Sequence, residues 1–238
     1  MQPFNFILVP QGQEYQAVMR GLQNIQPSSM QVIPIPIGSQ SLTVYLQEWL
    51  ESDAVKSQSS IQVLVLGLCG SLSPNLHIGD IVIYKNCLPL ISPGASQHCC
   101  DIDLTLALHQ HFIPAHLVCG LTSEQVITTA VEKQKLGQRY SVEVVDMEGT
   151  IILELLTKVG IKVAMVRVIS DDCYQNLPDL TTVIDANGQL KKLPFLKIML
   201  QHPIQILQLI RSGLKSLQIL QQVTQQLGTL TVSLHLLN

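Results

Sequence analysis

Residues 143–172 read EVVDMEGTIILELLTKVGIKVAMVRVISDD, and this stretch decides the fold class. Glu143 to Val145 is a short extended lead into Asp146-Met147-Glu148-Gly149. Thr150 to Val159 is then a strongly apolar helix that stops at Gly160, a residue that favours a helix end. Lys162 to Ile169 reads as a strand, and its far end carries Ser170-Asp171-Asp172. Strand, helix and strand in succession predict an α/β sheet.

The same alternation extends in both directions. Phe4 to Val9 reads as a buried first strand closed by Pro10 and Gly12, and Glu14 to Leu22 carries a helical pattern. Val32 to Ile37 is extended, because Pro34 and Pro36 exclude helix. Ser41 to Leu50 reads as a helix holding the only Trp. Ile61 to Leu66 is a strand ending at Gly67, followed by a turn at Cys69-Gly70-Ser71. Asp80 precedes a strand at Ile81 to Ile83, and residues 85–103 read as an irregular loop broken by Pro89, Pro93 and Gly94. Leu104 to His111 and Val126 to Leu136 read as helices, with a strand at Ala115 to Cys119 between them. In the tail, Leu207, Ile210, Leu214, Leu217 and Leu220 mark an amphipathic helix over Ile204 to Gln226. Alternation at Leu230, Val232, Leu234 and Leu236 reads as a last edge strand. No internal repeat or long linker is present, so one domain over residues 1–238 is the economical expectation.

Composition excludes several classes. Apolar residues make up 47% of the 238, but charged ones only 13%, against a usual quarter. A chain with so little charge is expected to self-associate as a homodimer or larger. The net charge of −3, with 14 scattered basic residues, argues against a nucleic-acid partner. No apolar run reaches the roughly 18 to 20 residues of a membrane span, and Phe4 to Val9 is too short for a signal core. A soluble, cytoplasmic protein is therefore expected. The six cysteines show no CxxC or Cys/His spacing, and His98, His109, His111 and His116 have no ligand spacing, so neither metal nor cofactor is expected.

Chemistry concentrates at the strand ends, where α/β folds gather ligands. Asp146 and Glu148 flank a strand-to-helix junction. They read either as helix caps or as acceptors for a diol. Arg167 lies inside an apolar strand, four residues before Asp171. It is costly to bury unless a carboxylate pairs with it. Asp171 stands beyond the strand end as a candidate general acid. Glu14, five residues after the first strand, reads alone as an ordinary first-turn acid.

Taken together these blocks carry a resemblance. Val145-Asp146-Met147-Glu148-Gly149 and Arg167-Val168-Ile169-Ser170-Asp171 resemble two signatures of the nucleoside phosphorylase and nucleosidase superfamily. Gly67-Leu68-Cys69-Gly70-Ser71-Leu72 with Ile78-Gly79-Asp80-Ile81-Val82 resembles its glycine-rich block. Glu14 matches the acid of the methylthioadenosine/S-adenosylhomocysteine nucleosidases, and the whole is most similar to their hopanoid-associated branch. The resemblance implies a three-layer α/β/α fold with a mixed, mostly parallel central sheet.

It also implies hydrolysis of a purine nucleoside, with adenine as the base. Asp171 would act at purine N7. Glu148 would hold the ribose hydroxyls, with Met147 against the sugar. Glu14, assisted by Arg167, would orient water, and Ser170 would support Asp171. Gly67, Leu68, Cys69 and Val126 complete the implied substrate contacts. The family's phosphate-using members carry an Arg and a Ser or Thr where this chain has Val65 and Leu68, while Ser71 replaces a usual glycine. Phosphate would bind poorly without that cradle, which favours water as nucleophile. A phosphorylase of the same fold and a non-catalytic nucleoside binder remain the alternatives. Residues 85–103 and 172–196 are the candidates for a hydrophobic 5′ pocket.

Overall fold

The computed structural model describes residues 4–23, 30–58, 60–90, 96–178 and 203–235. The segment that decides the fold forms β7 (Val144–Asp146), α6 (Gly149–Lys158) and β8 (Lys162–Asp171). Before it come β1 (Phe6–Pro10), α1 (Gln13–Leu22), β2 (Gln31–Ile35), α2 (Ser39–Leu50), a short α3 (Asp53–Lys56) and β3 (Gln62–Ser71). Then follow β4 (Ile81–Pro89), β5 (His98–Cys99), α4 (Ile102–His111), β6 (His116–Thr122) and α5 (Ala130–Tyr140). A long C-terminal helix, α7 (Pro203–His235), follows β8.

The eight strands form one mixed sheet. β1 pairs in parallel with β2 and β3, as do β3 with β8, β4 with β6, and β6 with β7. β3–β7, β4–β5 and β4–β8 are antiparallel. Strands β3, β8, β4, β6 and β7 thus pair around a closed circuit, with β1 and β2 extending from β3. Side chains alternate across the pleat, and β1 shows it. Phe6 and Leu8 join the apolar cluster under α2 and α6, while Ile7 and Val9 join the one under α1, α4 and α7. Helices therefore cover both faces of this part of the sheet, and β1 is fully buried, as a strand paired on both sides requires.

Local chemistry sets the helix starts. Asp101 accepts from Leu104 N–H to cap α4, and the Thr129 hydroxyl accepts from Glu132 N–H to cap α5. That cap places the start of α5 at Ala130, four residues beyond the expected Val126.

Three other expectations are corrected. The turn expected at Cys69-Gly70-Ser71 is strand, since β3 runs unbroken through Gly67 to Ser71. The irregular loop expected over residues 85–103 is largely ordered: β4 continues to Pro89 and β5 pairs back on it, while residues 91–95 lie outside the described set. The alternating tail is helix to His235, not an edge strand.

Helix α7 is amphipathic as expected, but only the later part of the leucine stripe, Leu217 and Leu220, packs on the core. Leu207, Ile210 and Leu214 are 49%, 44% and 57% exposed, while Ile206, Ser212, Ser216, Leu220, Val223, Thr224 and Leu227 are buried. The Ser216 hydroxyl donates to Ile169 O at 2.7 Å. Small residues allow the helix to lie that close to the end of β8. Among the described residues no helix is long and apolar enough to cross a membrane.

Candidate active site

The ends of β1, β3, β7 and β8 converge on a cavity of ≈ 340 Å³. Glu14 enters from α1, whose first turn follows Gly12 at a positive φ of 98°, a conformation that glycine adopts without steric cost. Leu68 N–H donates to Glu14 Oε2 at 2.7 Å. A side chain at Gly67 would collide with this arrangement: its Cβ would lie 2.6 Å from both Glu14 Oε2 and Arg167 Nη1. Glycine is therefore required in mid-strand, to let an acid from α1 and an arginine from β8 meet over the β3 backbone.

Arg167 is completely buried on β8, directly beside Gly67 in the sheet register. Its Nη1 donates to Leu68 O at 3.2 Å, and its Nη2 lies 3.4 Å from both Asp146 Oδ2 and Glu148 Oε2. Burial works against its charge, but the facing Asp146 and Glu148 outweigh burial and hold the guanidinium above its ordinary value.

The two acids at the β7–α6 junction both line the cavity but differ in their hydrogen bonds. Asp146 Oδ1 accepts from Thr122 Oγ1 at 2.8 Å and from Gly149 N–H at 3.1 Å. It ties β7 to β6 and covers a free N–H of α6. Glu148 makes no cap hydrogen bond and lines the cavity. Burial raises its carboxyl from 4.5 to about 7, with Arg167 pulling down and Asp146 pushing further up. Glu14 is raised to about 7 likewise, by burial first, against Arg167, with Glu148 adding to the rise. Three carboxyls around one guanidinium thus leave two of them with proton affinities near neutrality.

On the opposite wall the β3–β8 register slips. Cys69 faces Ile169, but Gly70 faces Asp171, so Ser170 is an extra residue, a β-bulge. The bulge turns Ser170 and Asp171 toward the cavity, and the Ser170 hydroxyl donates to Asp171 Oδ1 at 2.8 Å. Asp171 Oδ2 pairs with Lys133, a buried lysine from α5.

Of the residues singled out in the sequence, Glu14, Leu68, Cys69, Gly70, Val126, Asp146, Met147, Glu148, Ser170 and Asp171 line the cavity together. Gly67 and Arg167 do not line it and stand behind it, and Asp172 also lies outside its wall. Val65 is fully buried in the core. The Ser71 hydroxyl is spent on the turn that follows, donating to Ser73 O at 2.8 Å. Among the described residues, the stretches expected to form an apolar pocket do not line this cavity. Leu90 borders an adjoining one of ≈ 540 Å³, Cys173 and Tyr174 border a third, and residues 179–196 lie outside the described set. The apolar rim comes instead from Ile37, Val126 and Ile127. Sequence reading missed Lys133, which carries no local signal. Among the described residues no group of three or more His, Cys, Asp or Glu is placed to hold a metal ion.

A parallel-rich sheet closed through β3 and β8, with carboxylates gathered at its strand ends, defines an α/β protein with a small-molecule cavity. The chain belongs to the phosphorylase superfamily, whose family profile matches residues 50–192. Among solved structures it is similar to the 5′-methylthioadenosine/S-adenosylhomocysteine nucleosidase of Helicobacter pylori. That match has a TM-score of 0.67 and 15% identity, over 95% of this chain and 97% of that one. Futalosine hydrolase of the same organism superposes with TM-score 0.68 at 15% identity, covering 95% and 97%. The corresponding Campylobacter jejuni nucleosidase gives 0.63 at 15%, covering 94% and 99%. At such identities the likeness is one of fold. No curated protein matches the sequence.

Proposed function

We propose that the protein hydrolyses the N-glycosidic bond of a purine nucleoside. The observation that carries this reading is a single cavity lined by Glu14, Glu148 and Asp171 and, among the described residues, by no lysine or arginine. A phosphate dianion needs cations or a hydroxyl cradle. Here Arg167 is occupied by carboxylates and Ser71 by backbone. Water is the nucleophile that such a wall tolerates.

Departure of a base from a ribosyl carbon passes through an oxocarbenium-like state, which facing carboxylates stabilise. Glu148 holds the ribose hydroxyls, with Met147 against the sugar. Glu14, with a proton affinity near neutrality, takes the proton of the water that adds to the anomeric carbon. The base leaves with the bonding electron pair as Asp171, the general acid, passes to N7 a proton drawn from its partner Lys133, while Glu14 holds the proton lost by the water. The exposed, apolar Ile37 and Val126 at the rim suit a hydrophobic 5′ substituent.

Asp171→Asn tests the reading against that of a non-catalytic binder. Turnover is expected to drop on the order of 10² to 10⁴-fold while nucleoside binding persists. A wild-type protein that binds nucleosides and releases no base would refute it.

A further inference from the structure

All 17 acidic residues of the chain lie at or before Asp185, whereas five of its 14 basic residues lie after it. The described part of this acid-free stretch is α7, and its outward face repeats the asymmetry. Leu207, Ile210, Arg211, Leu214 and Lys215 are all exposed, at spacings of three and four that align them in one stripe. Neutral Gln208 and Gln218 are the exposed polar residues beside them. Lys215 Nζ donates to Ile78 O at 2.7 Å, and Asp80, two residues on, is engaged by His77 N–H. Among the described residues no carboxylate pairs with Arg211 or Lys215. The direction of the helix places this stripe. Ser216 meets Ile169 near the end of β8, and Thr224 meets Gly21 at the far end of α1. The first turns of α7 therefore stand at the carboxyl end of the strands, the end at which the cavity opens.

We propose that this face of α7 docks on an anionic membrane surface. Leu207, Ile210 and Leu214 enter the headgroup region, and Arg211 and Lys215 meet lipid phosphates. No described helix is long and apolar enough to cross the bilayer, so the contact is peripheral. A helix face that combines aliphatic side chains with cations suits the boundary between headgroups and acyl chains, where each cation adds attraction to anionic lipid. The acidic residues, all in the earlier part of the chain, are repelled by the same surface and orient the molecule with α7 towards it.

Charge complementarity decides the occupant. A second copy meeting this face about a two-fold axis would set Arg211 and Lys215 against their own counterparts, with no acid on the face to separate them. The segment leading into α7 carries Lys191, Lys192 and Lys197 after its last acid, and covering the stripe with it would add cations to cations. Nucleic acid supplies phosphates but leaves three aliphatic side chains without a partner. A bilayer holding anionic lipid satisfies both halves of the stripe.

Flotation of the full-length protein with vesicles tests this, comparing equal parts phosphatidylglycerol and phosphatidylcholine with phosphatidylcholine alone. Wild type is expected to partition at least about tenfold more strongly onto the anionic vesicles at low salt, and to lose that excess at high salt. Arg211→Gln combined with Lys215→Gln should weaken anionic binding about 30-fold, at about fivefold per cation. Leu207→Gln combined with Leu214→Gln should weaken it at least about tenfold. These four side chains are exposed and none lines the cavity, so each variant should melt with wild type. Binding that is absent, equal on both vesicles, or undiminished in either variant overturns the proposal. So does a wild-type dimer that the leucine variant converts to monomer in size-exclusion chromatography, because a second copy then occupies the face. The two vesicle compositions alone can refute it with wild-type protein, whether or not the variants fold.

Discussion

Replacing Arg167 with methionine removes the guanidinium that faces Asp146, Glu148 and Glu14 from inside the sheet. Breaking a buried ion pair by deleting one partner costs about 3–5 kcal/mol, because the other charge is left uncompensated. Here the cost must depend on pH. Glu14 and Glu148 are raised from 4.5 to about 7 even with Arg167 present. A carboxyl with a raised folded-state value binds its proton more tightly when folded, so it favours the native state at low pH, and that contribution is lost as pH rises toward 7. At ~1.4 kcal/mol per pH unit the loss is about 3 kcal/mol for each group taken alone. Without Arg167 both values rise further, and the loss continues above pH 7. The variant should therefore differ modestly from wild type at pH 5 and by about 3–5 kcal/mol at pH 8. Urea unfolding of both proteins at pH 5, 6.5 and 8, with unchanged m-values, measures this. An equal difference at pH 5 and pH 8, or no difference at pH 8, would contradict the charge arrangement described for the site.

Catalysis by Glu14 has its own pH signature: kcat/KM should fall as pH drops below about 7, approaching tenfold per unit, and a level profile from pH 5 to 8 would remove Glu14 as the base. Gly67→Ala places a Cβ 2.6 Å from Arg167 Nη1 and Glu14 Oε2. It is expected to cost about 1–3 kcal/mol in a thermal melt and to slow base release at least tenfold, since a small displacement at a catalytic group is costly. Ser71→Ala should leave turnover unchanged, because that hydroxyl is used by Ser73; a large loss would point to a phosphate cradle at that turn.

The segment from β7 to β8 was legible because an apolar helix with a glycine stop and a hydrophobic run with a polar end are local signals, and both elements stand where expected. The same holds for α1, with its buried Val18 and Leu22 one turn apart. The glycines of β3 misled for a physical reason. They read as a turn, yet they serve side chains arriving from α1 and β8, and nothing in the local sequence records such a visit. On α7 the leucines and the small polar residues repeat at the same spacing, so the pattern predicts a helix without telling which stripe meets the sheet. The hydrogen bond that sets Asp146 apart from Glu148 comes from Thr122, 24 residues before Asp146. Lys133 meets Asp171 across 38 positions and looks, in sequence, like the other charges of α5.

The most direct measurement is base release from methylthioadenosine, S-adenosylhomocysteine, adenosine and inosine by the purified protein, followed by chromatography with and without phosphate. The proposed reaction predicts free base from at least one adenine nucleoside at equal rates in both conditions, whereas release only when phosphate is present, or none from any of the four, would contradict it.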